Sequence, residues 1–413
     1  MKVVVVGGDG RAHALADVLS RTCEDVVVSG GNAGTPNAVA APPEELDGDL
    51  FVISPEAPLV AGMADRLRAQ GKRVYGPGAD GAQLEGSKAW MKELLVDAGV
   101  PTARHGAFDD AEQALAFLRT LPPPYVVKTD GLAAGKGVFV TESLIEAEDD
   151  VKAKLAGASF GDAGRTVVVE EGLTGPELSM LAVCDGRRAV PLAPSQDFKR
   201  IHDGDEGPNT GGMGAYSPVP MVRDELVDVV MDAFVEPTLA ALKARGIDYR
   251  GTLYAGLMLT PDGPKLLEYN CRFGDPETQV VLPRLRSDLV ELLASAADGH
   301  LCDDAPRFVD DAAVCVVVAT PGYPEAPRTG AVIDGVDDAG ASEDATVFCA
   351  GVDRDRDGRL VTAGGRVLDV VGFGPTIDAA RQRAYAAVQK ISFPGMQFRH
   401  DIAAAAAKEE RHR

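Results

Sequence analysis

The chain has 413 residues, 45% hydrophobic and 25% charged, with a formal net charge of −22. That length exceeds what one hydrophobic core serves and implies roughly two to four domains. The acidity argues against sequence-independent nucleic-acid binding, and an anionic substrate needs a local basic pocket set against the overall field.

Six cysteines (Cys23, Cys184, Cys271, Cys302, Cys315 and Cys349) show no CxxC spacing, so neither a zinc site nor a disulfide framework is indicated. Apolar runs such as residues 312–319 are too short to span a bilayer. Met1 and Lys2 lead directly into four valines, unlike a signal peptide. The composition points to a reduced, soluble, cytoplasmic protein with no membrane or nucleic-acid partner.

Residues 3–6 read as a buried strand, followed by Gly7, Gly8, Asp9 and Gly10 and a helix over about 11–20. A strand, a glycine turn and a helix N-terminus form a general anion site. The dinucleotide fingerprint is incomplete, because His13 stands where its third glycine belongs. The next strand, 26–28, runs into the glycine-rich stretch 29–35 and not into an acidic residue. A small phosphorylated ligand therefore fits better than a nicotinamide cofactor. Residues 50–53 form the next strand and lead to Glu56, which either recognises a hydroxyl or is a solvated carboxylate on a proline-stiffened loop. A helix over 60–70 and a strand over 73–75 follow, and the Gly/Pro-rich stretch 76–81 closes a first domain at residue 82.

Ser87 caps the next helix and Lys88 falls in its first turn, where the helix dipole disfavours a cation. Such local conflict is expected where a charge serves a ligand. Residues 125–140 hold Lys128, Gly131, Gly135, Lys136 and Gly137. The glycine spacing is one short of a P-loop and a strand, not a helix, follows. The stretch reads as a strand–loop–strand flap whose amides and Lys136 close over phosphates; an ordinary hairpin with snorkelled lysines is the alternative. A strand over 166–169 ends at Glu170 and Glu171, with Glu177 close behind, a pattern suited to an adenine hinge and ribose hydroxyls. Residues 195–200 and 207–214 look like mobile, polar, substrate-covering loops. An amphipathic helix over 226–245 is interrupted near Pro237.

Strands over 252–259 and 265–269 pair through a Thr-Pro-Asp-Gly turn. Side chains two apart on a strand share a face, so Glu268, Asn270 and Arg272 point one way while Tyr269, Cys271 and Phe273 point the other. A carboxylate beside an amide oxygen suits Mg²⁺, and an arginine two residues on can hold a phosphoryl oxygen. A solvated Glu/Asn/Arg stripe is the alternative. Asp275, Pro276 and Glu277 follow Gly274 at the strand end, where sites in α/β folds lie. A helix over 287–297 follows. After His300, strands over 313–319, 347–350 and 367–371 and a helix over 376–391 make a small α+β domain with few polar clusters. The tail after Asp401 reads as a surface or frayed helix.

These runs resemble the glycinamide ribonucleotide synthetase family (phosphoribosylamine–glycine ligases) of the ATP-grasp superfamily. The resemblance is carried by residues 55–59, 83–88, 128–137, 207–218 and 268–279, in order, and extends to about residue 400. It implies a multidomain α/β fold: a doubly wound phosphoribosylamine-binding domain over 1–82, a split ATP-grasp domain over 83–300 with a mobile lid over about 103–172, and a C-terminal α+β domain over 301–413. The implied reaction, in de novo purine biosynthesis, forms glycyl phosphate from glycine and ATP, which 5-phosphoribosylamine then attacks.

By that resemblance Glu268 and Asn270 hold Mg²⁺ (or Mn²⁺), and Arg272, with Lys136 and Asp275, is catalytic. Lys88, Lys128 and Lys136 meet ATP phosphates, Glu170 and Glu171 mark the adenine hinge and Glu177 the ribose. Gly8, Gly10, His13, Asn32, Gly34, Thr35 and Glu56 face the phosphoribosyl group. Asp197, Lys199, Gly274, Asp275, Pro276 and Glu277 complete the substrate sites of an expected monomer. Four departures from the family stand out: Asp9 replaces a glycine and Ala12 a glutamate in its Gly-Gly-Arg-Glu-His pattern, and Phe198 and His202 replace the usual residues. The segment between Thr35 and Asp49 is also short for a parallel crossover, which implies a lost strand or helix. Another ATP-grasp ligase or carboxylase, or a nucleotide-binding regulator without turnover, are the competing readings. The run 207–218 argues against the first, and intact Glu268, Asn270, Arg272 and Lys136 against the second.

Overall fold

The computed structural model describes residues 1–133, 137–157, 165–302 and 304–412. The chain opens with parallel strands β1 (Lys2–Val6), β2 (Asp25–Ser29), β3 (Ala38–Val39), β4 (Leu50–Ile53) and β5 (Val74–Tyr75), ordered β3-β2-β1-β4-β5. Val3, Val4 and Val5 are fully buried, because both faces of a parallel sheet are covered. Helix α1 (Gly10–Leu19) follows β1. The helix expected over 60–70 is two, α2 (Glu56–Val60) and α3 (Met63–Ala69). Gly62 separates them at φ +75°, a left-handed conformation that no continuous helix admits. Glu56 thus begins a helix and does not sit in a loop. The short crossover is real: β3 reaches β4 through a single 3-10 turn, Pro43–Glu45, with no helix.

The central region begins with α4 (Gln83–Gly86) and α5 (Lys88–Ala98). Strands β6 (His105–Phe108), β7 (Tyr125–Thr129), β8 (Val138–Thr141) and β9 (Val167–Glu171) form an antiparallel sheet, ordered β6-β9-β7-β8. Helices α6 (Ala111–Leu118) and α7 (Leu144–Leu155) pack on it around a separate small core. β10 (Glu177–Asp185) and β11 (Ala189–Pro191) belong to the sheet opposite.

Next come β12 (Gln196–Asp197), β13 (Arg200–His202), β14 (Glu206–Asn209) and β15 (Gly214–Ser217), where covering loops were expected. Helices α8 (Asp224–Val230) and α9 (Glu236–Ala244) flank a π turn, Met231–Val235, just before Pro237, whose missing N–H cannot continue an α-helical ladder. β16 (Arg250–Thr260) and β17 (Gly263–Asn270) complete the sheet β11-β10-β16-β17, followed by α10 (Thr278–Val281) and α11 (Leu289–Ala297).

The C-terminal region carries β18 (Ala312–Ala319), α12 (Val336–Gly340), β19 (Ala345–Cys349), the hairpin β20 (Val352–Arg354) and β21 (Leu360–Thr362), β22 (Arg366–Gly374) and α13 (Ile377–Val388). Its main sheet is ordered β12-β15-β18-β22-β19, so β12 and β15 are lent by the central region. This sharing ties the C-terminal domain to the site. The tail forms α14 (Ala404–Glu410), which docks through buried Ile402, Ala403, Ala406 and Ala407 and does not fray. No helix among the described residues is long and apolar enough to cross a membrane.

Candidate active site

A cavity of about 1020 Å³ is lined by all three regions: Asp9 and Glu56 from the first, Lys88 and Glu268 from the second, Tyr323 and Arg366 from the third. Its floor is the end of β17. Tyr269 and Cys271 are buried in the core, and the Tyr269 hydroxyl donates to Phe234 O at 2.9 Å. That anchors the apolar face and turns Glu268 and Asn270 to the cavity, as the alternation predicts. Opposite Glu268 on β16 is Gly256, where the register shifts and the backbone makes room for the carboxylate. Burial would raise Glu268, but Lys199, Lys128, Lys88 and Arg272 together hold its carboxyl below the usual range. Neither Glu268 nor Asn270 makes a side-chain hydrogen bond to another described residue. No three His, Cys, Asp or Glu side chains among the described residues cluster to hold a metal. One carboxylate and one amide oxygen suffice for Mg²⁺, which fills its octahedron with phosphate and water.

Above that floor sits a buried lysine cluster. Lys128 on β7 lies 3.1 Å from Glu170 Oε2 and donates to Leu267 O at 3.1 Å. Lys92 on α5 approaches Glu170 Oε1 at 3.1 Å and donates to Thr102 Oγ1 at 2.7 Å. Burial pushes Lys92 down to about 8 against the attraction of Glu170. Lys88 donates to Gly131 O at 3.0 Å. Its conflict with the helix dipole is answered by Asp130, whose carboxylate accepts from Ala89 N at 3.1 Å and from the capping Ser87. Glu170 therefore does not face the adenine hinge. On β9 it alternates with Glu171, so its side chain turns inward between the two lysines. Glu171 stays at the cavity, accepting from Arg104 N at 3.0 Å and Lys265 Nζ at 3.3 Å. Lys136 lies outside the described residues, with 134 and 135.

Along the adjoining wall, Lys199 Nζ bridges Glu177 Oε2 at 2.8 Å and Asp197 Oδ1 at 2.7 Å. Burial opposes the Lys199 charge, yet these two carboxylates hold its pKa well above the ordinary value. Burial, with Glu277 nearby, raises Asp197 despite Lys199. Glu277 accepts from Tyr254 Oη at 2.7 Å and Ser179 Oγ at 3.2 Å.

Arg272 is not a free fork. Nε donates to Glu56 Oε2 at 3.2 Å, Nη2 to Glu85 Oε1 at 2.8 Å and Nη1 to Phe273 O at 3.2 Å. Glu56 also lies 3.7 Å from Arg11. Burial works against its charge, but Arg272 and Arg11 keep its carboxyl below the usual range. Glu56 thus orients arginines at the start of a helix, which replaces its reading as a solvated loop carboxylate, and it still lines the cavity. Asp275 is held by Arg366 Nη2 at 2.8 Å and Gln279 Nε2 at 2.8 Å. Gly274 O accepts from Thr278 Oγ1 at 2.6 Å, and the Asp275–Pro276 peptide is cis.

The amino-terminal loop differs most from expectation. Asn32 Nδ2 donates to Gly8 O at 3.0 Å and Cys349 O at 2.7 Å. His13 Nδ1 accepts from Cys349 N at 2.9 Å and its ring meets Phe348 edge-on. A Cβ on Gly34 would come within 2.3 Å of Cys349 Sγ, and one on Gly10 within 1.8 Å of Asp369 Oδ2. Thr35 is buried. His13, Asn32 and Gly34 therefore meet β19 and Gly10 meets β22, because the C-terminal domain packs on this loop, and none of these four, nor Gly8 or Thr35, lines the cavity. Asp9 and Arg11 are the residues of the loop that reach the cavity. Asp9 caps α1 through Ala12 N at 2.8 Å and pairs with Arg11 at 2.6 Å.

Sequence reasoning missed Lys92, Glu85 and Arg366. Lys92 stands four residues after Lys88, so helical spacing puts both on one face. Glu85 and Arg366 carried no local signal.

Family models describe three successive segments: phosphoribosylglycinamide synthetase N domain over residues 1–85, ATP-grasp (A) domain over 86–278 and C domain over 313–405. A phosphoribosylamine–glycine ligase of Caulobacter vibrioides is 46% identical over 418 residues, covering 97% of each chain. The crystal structure of phosphoribosylamine–glycine ligase from Thermotoga maritima superposes with a TM-score of 0.87 at 35% identity, covering 98% of this chain and 100% of that one. A biotin carboxylase domain from Hydrogenobacter thermophilus shares the fold alone, with a TM-score of 0.71 at 16% identity over 96% of this chain and 91% of that one. Matched over residues 1–278 and 313–405 by its N, ATP-grasp and C domains, the chain belongs to the phosphoribosylglycinamide synthetase family.

Proposed function

We propose that the chain ligates glycine to 5-phosphoribosylamine with ATP, giving glycinamide ribonucleotide, ADP and phosphate by way of glycyl phosphate. The observation that carries this reading is the cavity floor, where a carboxylate and an amide, neither with a side-chain hydrogen bond among the described residues, face a buried lysine cluster. ATP phosphates lie toward Lys88 and Lys128, the adenine toward Glu171 and the ribose toward Glu177. Glu268 and Asn270 would hold Mg²⁺ (or Mn²⁺), which when bound neutralises phosphoryl charge.

A glycine carboxylate oxygen attacks the γ-phosphorus, and the bond to the β-phosphate oxygen breaks. Arg272, fixed by Glu56, Glu85 and Phe273 O, has one N–H left on each Nη to offer the developing charge. The amine nitrogen then attacks the glycyl carbonyl carbon, phosphate leaves, and the nitrogen gives up a proton. Asp275, held at both oxygens, is placed to take it. The strand β12 residues Asp197 and Lys199, with Glu277, border the glycine. Asp9, Arg11 and Glu56 supply the N-terminal wall for the ribose phosphate, with Arg11 as its cation. All these groups come from one chain, which supports catalysis by a monomer.

The test is phosphate release from ATP with glycine alone, amine alone and both. Release only with both, and transfer of one ¹⁸O from labelled glycine carboxylate into phosphate, is expected. Phosphate without label rules out the acyl phosphate.

A further inference from the structure

Asp369 on β22 is buried where the three regions meet. Its Oδ2 accepts from Gln279 Nε2 at 2.8 Å, and the same nitrogen donates to Asp275 Oδ1 at 2.8 Å. Oδ2 also rests against the Cα of Gly10, leaving no room for a side chain there. The Asp369 carboxyl thus touches the first turn of α1 and the amide that positions Asp275.

The charges around it do not balance. Asp9 has Arg11 at 2.6 Å, and Asp275 has Arg366 at 2.8 Å. Asp369 forms no ion pair with a described residue. Its Oδ1 and the neighbouring Gln279 Oε1 are both buried without a hydrogen-bond partner. One cluster therefore holds a surplus carboxylate and two acceptors without donors. A proton on Asp369 removes the surplus charge and supplies a donor.

The groups facing it are Arg366 on its own strand, Asp9 before α1, Asp275 before α10, Cys315 on β18 and Cys349 on β19. Burial pushes both thiols up, Cys349 to about 12, so they stay neutral. Burial, then Asp275 and Asp9, lifts Asp369 to about 7, against Arg366 and the Gln279 hydrogen bond.

We propose that Asp369 works as a neutral acid and is a positioning residue for Asp275: through Gln279 it steadies the carboxylate facing the incoming amine, and its ionisation loosens that hold. Losing the proton to solvent leaves two like charges bridged by one amide, and Asp275 shifts away from Asp369. This inference rests on the reading of Asp275 given above.

The experiment compares wild type with Asp369→Asn and Asp369→Ser in kcat and in KM for 5-phosphoribosylamine, from about pH 6 to about pH 8.5. Taking the variant-to-wild-type ratio at each pH cancels the amine's own titration. Near pH 6 the Asn variant should match wild type within about threefold in kcat/KM. By pH 8.5 it should exceed wild type by about tenfold, with KM for ATP unchanged throughout. A ratio that does not move with pH overturns the proposal, as does failure of both variants to fold, since a neutral residue must be accommodated there. If Asp275→Asn leaves amine KM and kcat untouched, the reading of Asp275 fails instead, and that result is distinct from a flat Asp369 ratio.

Discussion

Replacing Glu170 with glutamine removes the carboxylate shared by two buried lysines, and the structure bounds the consequence. At neutral pH wild-type Lys92 keeps its charge although burial has moved it from 10.5 to about 8, a penalty of about 3 kcal/mol. Without Glu170 it sheds the proton. A neutral lysine at pH 7 costs about 5 kcal/mol relative to the unfolded chain, so the added penalty is capped at about 1–2 kcal/mol. Loss of the charged contact between Lys128 and Glu170 adds about 2–3 kcal/mol. Glu170→Gln should therefore destabilise by about 3–5 kcal/mol at pH 7. The pH dependence follows from the direction of the Lys92 shift. Its folded pKa lies below its unfolded one, so its contribution to stability rises as pH climbs from about 8 toward 10.5. At about pH 9 Lys92 is largely neutral in both proteins, and the difference should shrink by about 1–2 kcal/mol. Urea unfolding followed by Trp90 fluorescence reads this directly, because Trp90 is the sole tryptophan and lies on α5 two residues from Lys92. A stability difference that is the same at both pH values, or below about 1 kcal/mol, would falsify the argument that Glu170 neutralises this pair.

Glu268→Gln keeps the size and the fold but removes the anionic ligand; turnover should fall by at least about a hundredfold with an unchanged melting temperature, and near-native rates at low Mg²⁺ would refute the metal assignment. Arg272→Lys cannot span Glu56 and Glu85 and still present a planar edge, so kcat should drop by about a hundredfold with little change in KM for ATP; an effect confined to that KM argues against a transition-state contact. Asp9→Gly should lower stability by about 1 kcal/mol through loss of the α1 cap. It should also free Arg11, so that KM for the amine falls, and a rise in that KM would place the carboxylate in substrate binding.

Much of this fold was legible because buried parallel strands are near-continuous valine runs and glycine marks the turns between them. The strand-face alternation at Glu268, Asn270 and Arg272 likewise needed only local geometry. It was not applied on β9, where Glu170 and Glu171 are adjacent and necessarily point opposite ways, yet both had been assigned to one nucleotide face. The stretches 195–200 and 207–214 read as loops because β12 and β15 are short and polar. β12 is held by β15, and β15 in turn by β18 about a hundred residues on, so the ladder that makes them strands is invisible locally. The break at Gly62 was readable, since glycine in an apolar helical pattern permits the left-handed turn that ends it.

What sequence periodicity could not supply is which charge meets which, since that is settled where separate domains touch. The two departures in the first turn of α1 illustrate this. Read singly, Asp9 looks like a carboxylate placed against a phosphate site, and Ala12 like the loss of an acidic side chain. In the folded chain Asp9 accepts the Ala12 amide hydrogen and pairs with Arg11. The negative charge at the helix start has moved from position 12 to position 9, where it still meets the helix dipole. Asp369 meets this turn at Gly10, whereas the Ala12 Cβ faces Gly7, where an ionised glutamate would bury a further carboxylate. Alanine, fully buried there, adds none. The carboxylate at position 9 and the carboxyl at 369 are therefore best understood together, as one charge arrangement divided between two domains.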